Sequence, residues 1–423
     1  MKFFDLDKWH EIYFALRKNP LRTFFTAFGV FWGIFMLMIM MGAGEGLYNG
    51  ASSDLGDMST NSVFMWTRRT TMPYKGFPRG RFFRFNNSDT KALVDNIPEI
   101  KYIAPRLQGW DRNGNNNVIR GERTGGFNIQ GDYPEINLID PMNITQGRFI
   151  NYNDINELRK VAVIGQRVFE ELFDPDEDPI GEYIQIQGVY FKVIGLFQSR
   201  RSDQQAEHEN QAIYMPFTTL QKVYNYGDMV GWYSITAKDD IHVEVVENKA
   251  KELLRQRHSV HPDDDRAVGS FNLDKEWSKM TNLFGGIRGL VWIVGIGTLL
   301  AGVIGVSNIM LIVVKERTKE IGVQRAIGAT PFNIITQIIF ESVLLTAIAG
   351  YFGLALGVGL LELLNYGLTS SGADSSMFTN PEVDFNKAML ALFILVISGI
   401  FAGMIPARRA INIKPIDALR DEN

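Results

Sequence analysis

The sequence predicts an α-helical membrane protein with four transmembrane helices, arranged as one plus three, and a large α+β domain between the first and the second helix. Two observations support this fold class. Four runs of the chain are apolar and long enough to cross a hydrocarbon core, which requires roughly 20 predominantly apolar residues. The long stretch between the first two runs alternates short aromatic and branched segments with Gly, Pro and Asn, a pattern typical of a folded domain.

The four apolar runs are nearly free of charge. Three of them contain no charged residue, and the third in chain order contains only Glu341. A buried helix of a large soluble protein is the alternative for each run, but charge-free runs of this length favour membrane spans. The runs are 23–44, 290–314, 333–361 and 388–405, and the predicted transmembrane helices are 21–45, 284–314, 333–362 and 387–406.

Lysine and arginine near the ends of the spans predict the orientation, because basic residues concentrate in cytoplasmic loops. The connection 363–386 carries mainly acidic residues, so we expect it to be a short periplasmic loop. Both termini and segment 315–332 are expected in the cytoplasm, with 46–283 outside. The basic residues are Lys2, Lys8, Arg17, Lys18 and Arg22 before the first span, Lys315, Arg317, Lys319 and Arg325 after the second, and Arg408, Arg409, Lys414 and Arg420 after the fourth.

The N-terminal segment 1–20 predicts an amphipathic helix on the cytoplasmic face of the membrane. Its apolar residues recur at helical spacing with charges between them, and Pro20 interrupts the pattern. A cleaved signal peptide is the alternative, but the apolar run that follows exceeds the usual core of about 7 to 15 residues. An uncleaved anchor therefore fits better.

The external domain 46–283 predicts a split α+β unit with a β-rich insertion at about 106–205. Strands are expected at 61–66, 101–104 and 232–237, and helices at 89–96 and 243–257. The middle of the domain is mostly strand-like, with runs at 161–164, 183–186 and 190–196. At the far end, Leu273, Trp277, Met280 and Phe284 repeat at helical spacing, which predicts that the second span continues outward as a helical stalk.

Charge and composition exclude several function classes. The net charge is -4 with dispersed basic residues, which does not favour nucleic-acid binding. The chain has no cysteine, so disulfides, thiolate metal sites and a cysteine nucleophile are excluded. No H-E-x-x-H or G-x-S-x-G motif occurs, and we predict no catalytic residue, no metal and no cofactor.

Two clusters deserve comparison with metal sites. Asp174, Asp176 and Asp178 open like a calcium loop, but Pro179 replaces the required glycine and Gln185 the closing glutamate. A second cluster, His258 and His261 followed by Asp263, Asp264 and Asp265, lacks further ligands. We interpret both as solvated segments of the surface.

Glycine pairs at G-x-x-x-G spacing occur in every predicted span, and such pairs allow close helix packing. With so many glycines in apolar segments, chance matches are expected. Four helices without a polar pore suit a dimer. The pairs are Gly29 and Gly33, Gly285 and Gly289, Gly353 and Gly357, and Gly399 and Gly403.

Segment 315–332, here called the island, is a charged, helix-forming stretch between two spans. Its sequence KERTKEIGVQRAIGATP closely resembles the segment that links the second and third membrane helices in ABC transporter permeases of the MacB type, relatives of FtsX, LolC and LolE. The external run VAVIG at 161–165, DPIG at 178–181 and FKVIG at 191–195 resembles the periplasmic signature of that family. PARRA at 406–410 and PIDALR at 415–420 resemble its ending.

The resemblance implies a divided α+β porter part with a β-rich insertion, and permeases that pair as identical or related copies. It implies that the island is a coupling helix for an ABC ATPase. In this interpretation Ile321, Ala326, Ile327 and Phe332 face the membrane or a groove of the ATPase. The implied ATPase-coupling residues are Glu316, Arg317, Glu320, Gly322, Arg325, Ala326, Gly328 and Ala329.

Single-chain members of the MacB type carry a nucleotide-binding domain before the first membrane helix. Only 22 residues precede the first apolar run here, and no G-x-x-x-x-G-K-[S/T] phosphate loop occurs. We therefore expect the ATPase, as a dimer, to be a separate polypeptide. The other expected partners are the lipid membrane, a second permease copy or paralogue, and either a periplasmic adaptor with an outer-membrane channel or a lipoprotein chaperone.

The leading hypothesis is a permease subunit in the bacterial inner membrane that transmits motion from a cytosolic ATPase to the periplasmic domain. Its output would be efflux of an antibiotic, peptide or toxin, or lipoprotein release. The alternative is an FtsX-like signalling protein that activates a periplasmic partner such as a cell-wall hydrolase. An ion-coupled transporter is disfavoured because Glu341 is expected to pair with a basic residue of the island. A sensor or adhesion protein would leave the island unexplained.

Overall fold

A computed structural model describes residues 20–53, 58–109, 116–201, 204–370, 378–381 and 385–412. The predicted interfacial helix before Pro20 and the motif at 415–420 lie outside the described residues. The chain forms two compact units. One contains Met1–Ala51 and Leu283–Asn423, and the other contains Ser52–Asn282.

The described elements follow in chain order, with labels used below. They are α1 Pro20–Ser53, β1 Ser62–Thr67, β2 Phe85–Asn86, α2 Asn87–Asn96, β3 Ile100–Gln108, β4 Asn117–Arg120, β5 Arg123–Gly126, β6 Asn128–Asp132, α3 Ile136–Ile139, β7 Asn143–Gly147, α4 Tyr152–Asn156, β8 Val161–Gly165, α5 Gln166–Leu172, β9 Tyr183–Ile186, β10 Val189–Gln198, α6 Gln204–Asn210, β11 Ala212–Pro216, α7 Phe217–Val223, β12 Met229–Val230, β13 Trp232–Ala237, α8 Val243–Arg257, β14 Val268–Asn272, α9 Leu273–Glu316, α10 Thr318–Ala326, α11 Pro331–Ser370 and α12 Phe385–Ile411.

Helices α1, α9, α11 and α12 are long and apolar enough to cross a membrane. Each contains one of the predicted charge-poor runs, and α9 begins at Leu273, so the expected helical continuation of the second span is confirmed. Between these helices the side chains pack into apolar clusters that include Ile34, Met38 and Leu395. Ser342 and Thr346 are buried there, and each hydroxyl donates a hydrogen bond of 3.0 Å to the carbonyl oxygen one turn earlier in α11. Internal hydrogen bonds of this kind are required where water is absent.

The other unit is built on a twelve-stranded sheet with the order β14-β1-β13-β3-β6-β11-β8-β10-β9-β4-β5, in which β7 also pairs with β10. The first four strands are antiparallel neighbours. They come from both ends of the domain sequence, as predicted for a split α+β unit. The predicted strand at 232–237 and helix at 243–257 match β13 and α8 residue for residue.

The β-rich part extends further than expected. The predicted insertion ended near residue 205, but β11 at Ala212–Pro216 pairs with β6 in parallel and with β8 in antiparallel. The same part contains the helices α3, α4 and α5. Strand β3 bonds to β13 on one side and to β6 on the other, so a continuous sheet joins the two parts. Strand pairing between residues distant in sequence sets this boundary, which local pattern does not reveal.

The cluster around His258 corrects one expectation. His258 was interpreted as part of a solvated loop, but its Nε2 lies 2.6 Å from the buried carboxylate of Asp89. Arg257 donates to the other oxygen of Asp89 at 2.7 Å, and Asp89 also completes the capping box of α2 with Asn86. Asp264 is likewise buried, and its carboxylate accepts hydrogen bonds from the amides of a loop distant in sequence. These side chains therefore form hydrogen bonds that stabilise the fold.

Candidate functional site

The island folds as a short helix that is followed by a turn at Gly328. Helix α9 ends at Glu316, α10 follows, and the chain turns at Gly328, whose φ is +108°. The amide of Ala329 donates to the carbonyl of Gln324 at 2.9 Å, the six-residue bond of a glycine-terminated helix. Helix α11 then begins with Pro331. Proline suits this position because amides in the first turn of a helix have no partner within the helix, so its missing amide hydrogen costs nothing. The glycine and the proline therefore fix the turn between the island and the third span.

One side of α10 packs into the helical unit. Ile321 is buried in an apolar cluster with Val314, Ile334 and Ile338, and Gly322 beside it is buried as well. The prediction that Ile321 faces the membrane or an ATPase groove is therefore wrong. The apolar spacing identified the inward side of α10 and did not distinguish a partner protein from the neighbouring helices.

The charged residue inside the third span has the expected partner. Arg317 Nη1 lies 3.1 Å from Oε1 and 3.4 Å from Oε2 of Glu341, and the Glu341 side chain is 9% exposed. An ionisable group at such depth is costly unless it is paired. The predicted pairing of Glu341 with a basic residue of the island is confirmed. Arg317 therefore holds α10 against α11.

Arg325 forms a second internal attachment. Its Nη1 donates to the carbonyl oxygen of Ile411, the last residue of α12, at 2.6 Å. A cation is favourable there because the carbonyls at a helix C-terminus carry partial negative charge. Arg325 is predicted to contact the ATPase, and in the structure its guanidinium also contacts the end of the fourth span. The two residues are 86 positions apart, so no spacing in the sequence indicated the contact.

The opposite side of the island exposes apolar residues. Ile327 is 82% exposed, Phe332 67% and Val323 41%. Single exposed apolar side chains are common, but these three lie in one short helix, in the residue that caps its C-terminus and in the first turn of the next helix. Val323 was not among the predicted residues. Its apolar side chain, four positions before Ile327, was the sequence signal that could have indicated it. The predicted residues Glu316, Glu320, Ala326 and Gly328 are also exposed, and Ala329 is half-buried.

The four predicted packing glycines of α11 and α12 lie where helices approach closely. A Cβ on Gly353 would lie 2.6 Å from the carbonyl oxygen of Phe31 in α1, and one on Gly357 would lie 2.8 Å from the Met38 side chain. Gly403 similarly faces α11, where a Cβ would lie 3.0 Å from a backbone carbon. Such distances leave no room for a side chain. Gly399 also faces α11.

The remaining glycine pairs have looser surroundings. A Cβ on Gly33 would lie 3.6 Å from Thr298 in α9, and one on Gly29 would lie 3.9 Å from the same helix. At Gly285 and Gly289 a Cβ would meet no atom of the described part of the chain within 4 Å. These two glycines therefore face away from the neighbouring helices of their own unit.

Within the described ranges, no group of three or more His, Asp or Glu side chains is arranged to hold a metal ion. In the acidic turn, Asp174 pairs with Arg123, and the carboxylate of Asp178 accepts a hydrogen bond from the amide of Ile180 at 2.9 Å. These contacts stabilise the turn that leads into β9.

Four apolar helices and an α+β domain between the first and second define a multi-pass membrane protein. A family model described as the MacB-like periplasmic core domain matches residues 23–253, and one described as the FtsX-like permease C-terminal region matches 292–415. The chain belongs to this family, the MacB/FtsX-type ABC permeases.

Curated relatives are similar along nearly the whole chain. The pyoverdine export ATP-binding/permease protein PvdT of Pseudomonas putida is 28% identical over 410 residues, which are 96% of this chain and 58% of that protein. The macrolide export ATP-binding/permease protein MacB of Vibrio parahaemolyticus is 28% identical over 414 residues, with the same two shares. The chain thus spans 58% of the length of these relatives. The crystal structure of the periplasmic region of MacB from Actinobacillus actinomycetemcomitans is 20% identical, covers 53% of this chain and 94% of that one, and superimposes with a TM-score of 0.42.

Proposed function

We propose that this permease couples ATP hydrolysis in the cytosol to movement of its α+β domain on the other side of the membrane, and thereby drives export or extraction of a substrate. The observation that carries the proposal is the two-sided construction of the island. One side is attached to the helices by Arg317, Ile321 and Arg325, and the other exposes Val323 and Ile327. Movement of a docked protein would therefore be transmitted to two spans and would not be absorbed by a flexible loop.

The proposed docking partner is an ABC ATPase. The exposed apolar residues supply contact area that excludes water, and the exposed Glu316, Lys319 and Glu320 around them supply charged contacts at the rim. The 423 residues contain no phosphate-binding loop, so the proposed nucleotide site lies outside them. We propose that it belongs to a separate ATPase dimer.

Three further features of the proposal concern assembly and placement. Gly285 and Gly289 lie on a face of α9 that the neighbouring helices leave uncovered, which supports pairing with a second permease copy or paralogue. The distribution of lysine and arginine supports a bacterial inner-membrane protein with the island in the cytoplasm. An adaptor with an outer-membrane channel, or a lipoprotein chaperone, would receive the substrate in the periplasm.

The test purifies the tagged full chain from its native membrane and measures the ATPase activity that copurifies. We expect Val323→Asp and Ile327→Asp to remove this activity, because each places a charge in the proposed apolar contact. Val245→Asp is the matched control, since Val245 is 43% exposed on helix α8 of the other unit and Val323 is 41% exposed. Undiminished ATPase activity with Ile327→Asp, in protein that remains folded, would contradict the proposal.

A further inference from the structure

The domain between the first two spans contains a groove of about 460 Å³. Its walls come from the α+β part, through Val94 of α2 and Tyr102 of β3, and from the β-rich part, through Tyr133, Glu135 and Tyr152. A volume of roughly 300 to 1,000 Å³ is usual for sites that enclose a small organic ligand. Most of the other lining residues are isoleucine and proline, so the walls are largely apolar.

The three tyrosines form aromatic walls of the groove, and two of them pack against buried residues. Tyr102 and Tyr133 pack against a small buried cluster that contains Ala104, Ile136 and Ile139. Tyr152 is half exposed, and its ring lies 6.4 Å from that of Tyr133 in an edge-to-face arrangement. Aromatic faces attract cations as well as apolar groups.

Two charged residues line the groove, and only one has a complete set of partners among the described residues. Lys101 Nζ lies 2.7 and 2.9 Å from the carboxylate oxygens of Asp239, which neutralises its charge. Glu135 accepts a hydrogen bond from the Tyr152 hydroxyl through Oε1, whereas its Oε2 is buried and has no hydrogen-bond partner in the described part of the chain. A buried carboxylate oxygen without a donor is unfavourable, and a ligand donor would relieve that cost.

The neighbouring phenols do not supply a second negative charge. Burial raises the pKa of Tyr133 and of Tyr152, and the Glu135 carboxylate raises both further. Both hydroxyls therefore stay protonated at neutral pH. With Lys101 neutralised, the Glu135 carboxylate supplies the unbalanced charge among the groups that line this groove.

We propose that this groove binds a small amphiphile that carries a protonated amine. Rotation of the Glu135 side chain would turn Oε2 into the groove, where the ammonium group would donate to it and lie against the tyrosine faces, and the apolar part would fill the space beside Val94. The proposal goes beyond the coupling role of the island, since binding here requires no nucleotide and no ATPase.

The test measures binding of dansylcadaverine, a fluorescent primary amine, to the full chain in phosphatidylcholine nanodiscs without nucleotide. The matched probe is dansyl-6-aminohexanoic acid, which keeps the fluorophore and a similar chain but carries a carboxylate. We expect Glu135→Gln to weaken dansylcadaverine about tenfold, the usual loss for one charge-assisted hydrogen bond, and not to weaken the anionic probe. Glu122→Gln, in the exposed turn between β4 and β5, is the control of equal charge change.

A second variant tests the location without removing a charge. Val94 is 51% exposed at the groove, so Val94→Trp should fold normally and obstruct the site, which weakens both probes. Three results would overturn the proposal: no saturable binding of dansylcadaverine to the wild type, equal affinity of Glu135→Gln and wild type for it, or unchanged binding in folded Val94→Trp. An equal loss in Glu122→Gln would do so too, because it would indicate a general charge effect.

Discussion

Replacing Arg317 by methionine tests whether the island is attached to the third span through Glu341. Methionine keeps much of the length of the arginine side chain and removes its charge. Glu341, at 9% exposure, would then lose the guanidinium that lies 3.1 Å from its Oε1. The remaining carboxylate would be a buried charge without this partner, which is the costly way to break an ion pair.

The expected loss of unfolding free energy is about 3 kcal/mol. Removing one partner of a buried pair costs about 3 to 5 kcal/mol, and the low end applies because Arg317 is 24% exposed. Removing both partners should cost much less, since a well-packed apolar pair is often as stable as a buried ion pair. The double variant Arg317→Met with Glu341→Met is therefore expected to recover most of the loss.

The assay is SDS-induced unfolding of the purified chain in mixed micelles, followed by tryptophan fluorescence. Lys319→Met is the control, because Lys319 is an exposed cation of the same helix and should change stability by no more than about 0.5 kcal/mol. The reasoning is refuted if Arg317→Met and Lys319→Met have the same free energy of unfolding. It is also refuted if Glu341→Met adds its own loss to that of Arg317→Met, since coupled partners should not be additive.

Three further predictions concern helix packing, pH and the end of the fourth span. Gly353→Leu should destabilise the helical unit by about 1 to 3 kcal/mol, because a Cβ there would lie 2.6 Å from a carbonyl of α1; Gly359→Leu, where a Cβ meets no described atom within 4 Å, should not. Burial raises the pKa of Asp89, but its bonds to His258 and Arg257 outweigh burial and hold that pKa below 3.8. Its stabilisation is therefore present above pH 3.8 and lost as the pH falls through the lowered pKa. Asp89→Asn should thus lower stability in urea at pH 7 and lose its effect in acid, unlike the exposed Asp95→Asn. Arg325→Met should lower the melting temperature, with a cost of about 1 kcal/mol for the lost contact with the end of α12; an unchanged melting temperature would contradict this.

Local signals were sufficient for most of the fold. Apolar runs with at most one charged residue identified all four long helices, since membrane burial depends on composition within one segment. Alternating and helical spacing located β13 and α8 residue for residue. The end of the β-rich part was misjudged because β11 is an apolar strand whose membership depends on pairing with β6 and β8.

The sequence located the candidate coupling segment but did not show which of its residues also attach it to the neighbouring helices. Arg325 and Ile321 have the residue types expected of a docking surface, and both are used inside the chain. A guanidinium has the same chemistry whether its acceptor is a partner protein or the carbonyl of Ile411. The periplasmic groove was not predicted at all, because it forms only where β3 meets residues from the β-rich part.

The sequence alone determined the number of long apolar helices, the family and the position of the island. These features depend on properties that are local to a segment, such as the free energy of transfer of an apolar run into hydrocarbon. Only the tertiary structure decided which side of the island is exposed and which carboxylates of the described residues have a buried oxygen without a hydrogen-bond donor. Those properties depend on contacts between residues far apart in the chain, and each contact exists only after the intervening segments have folded.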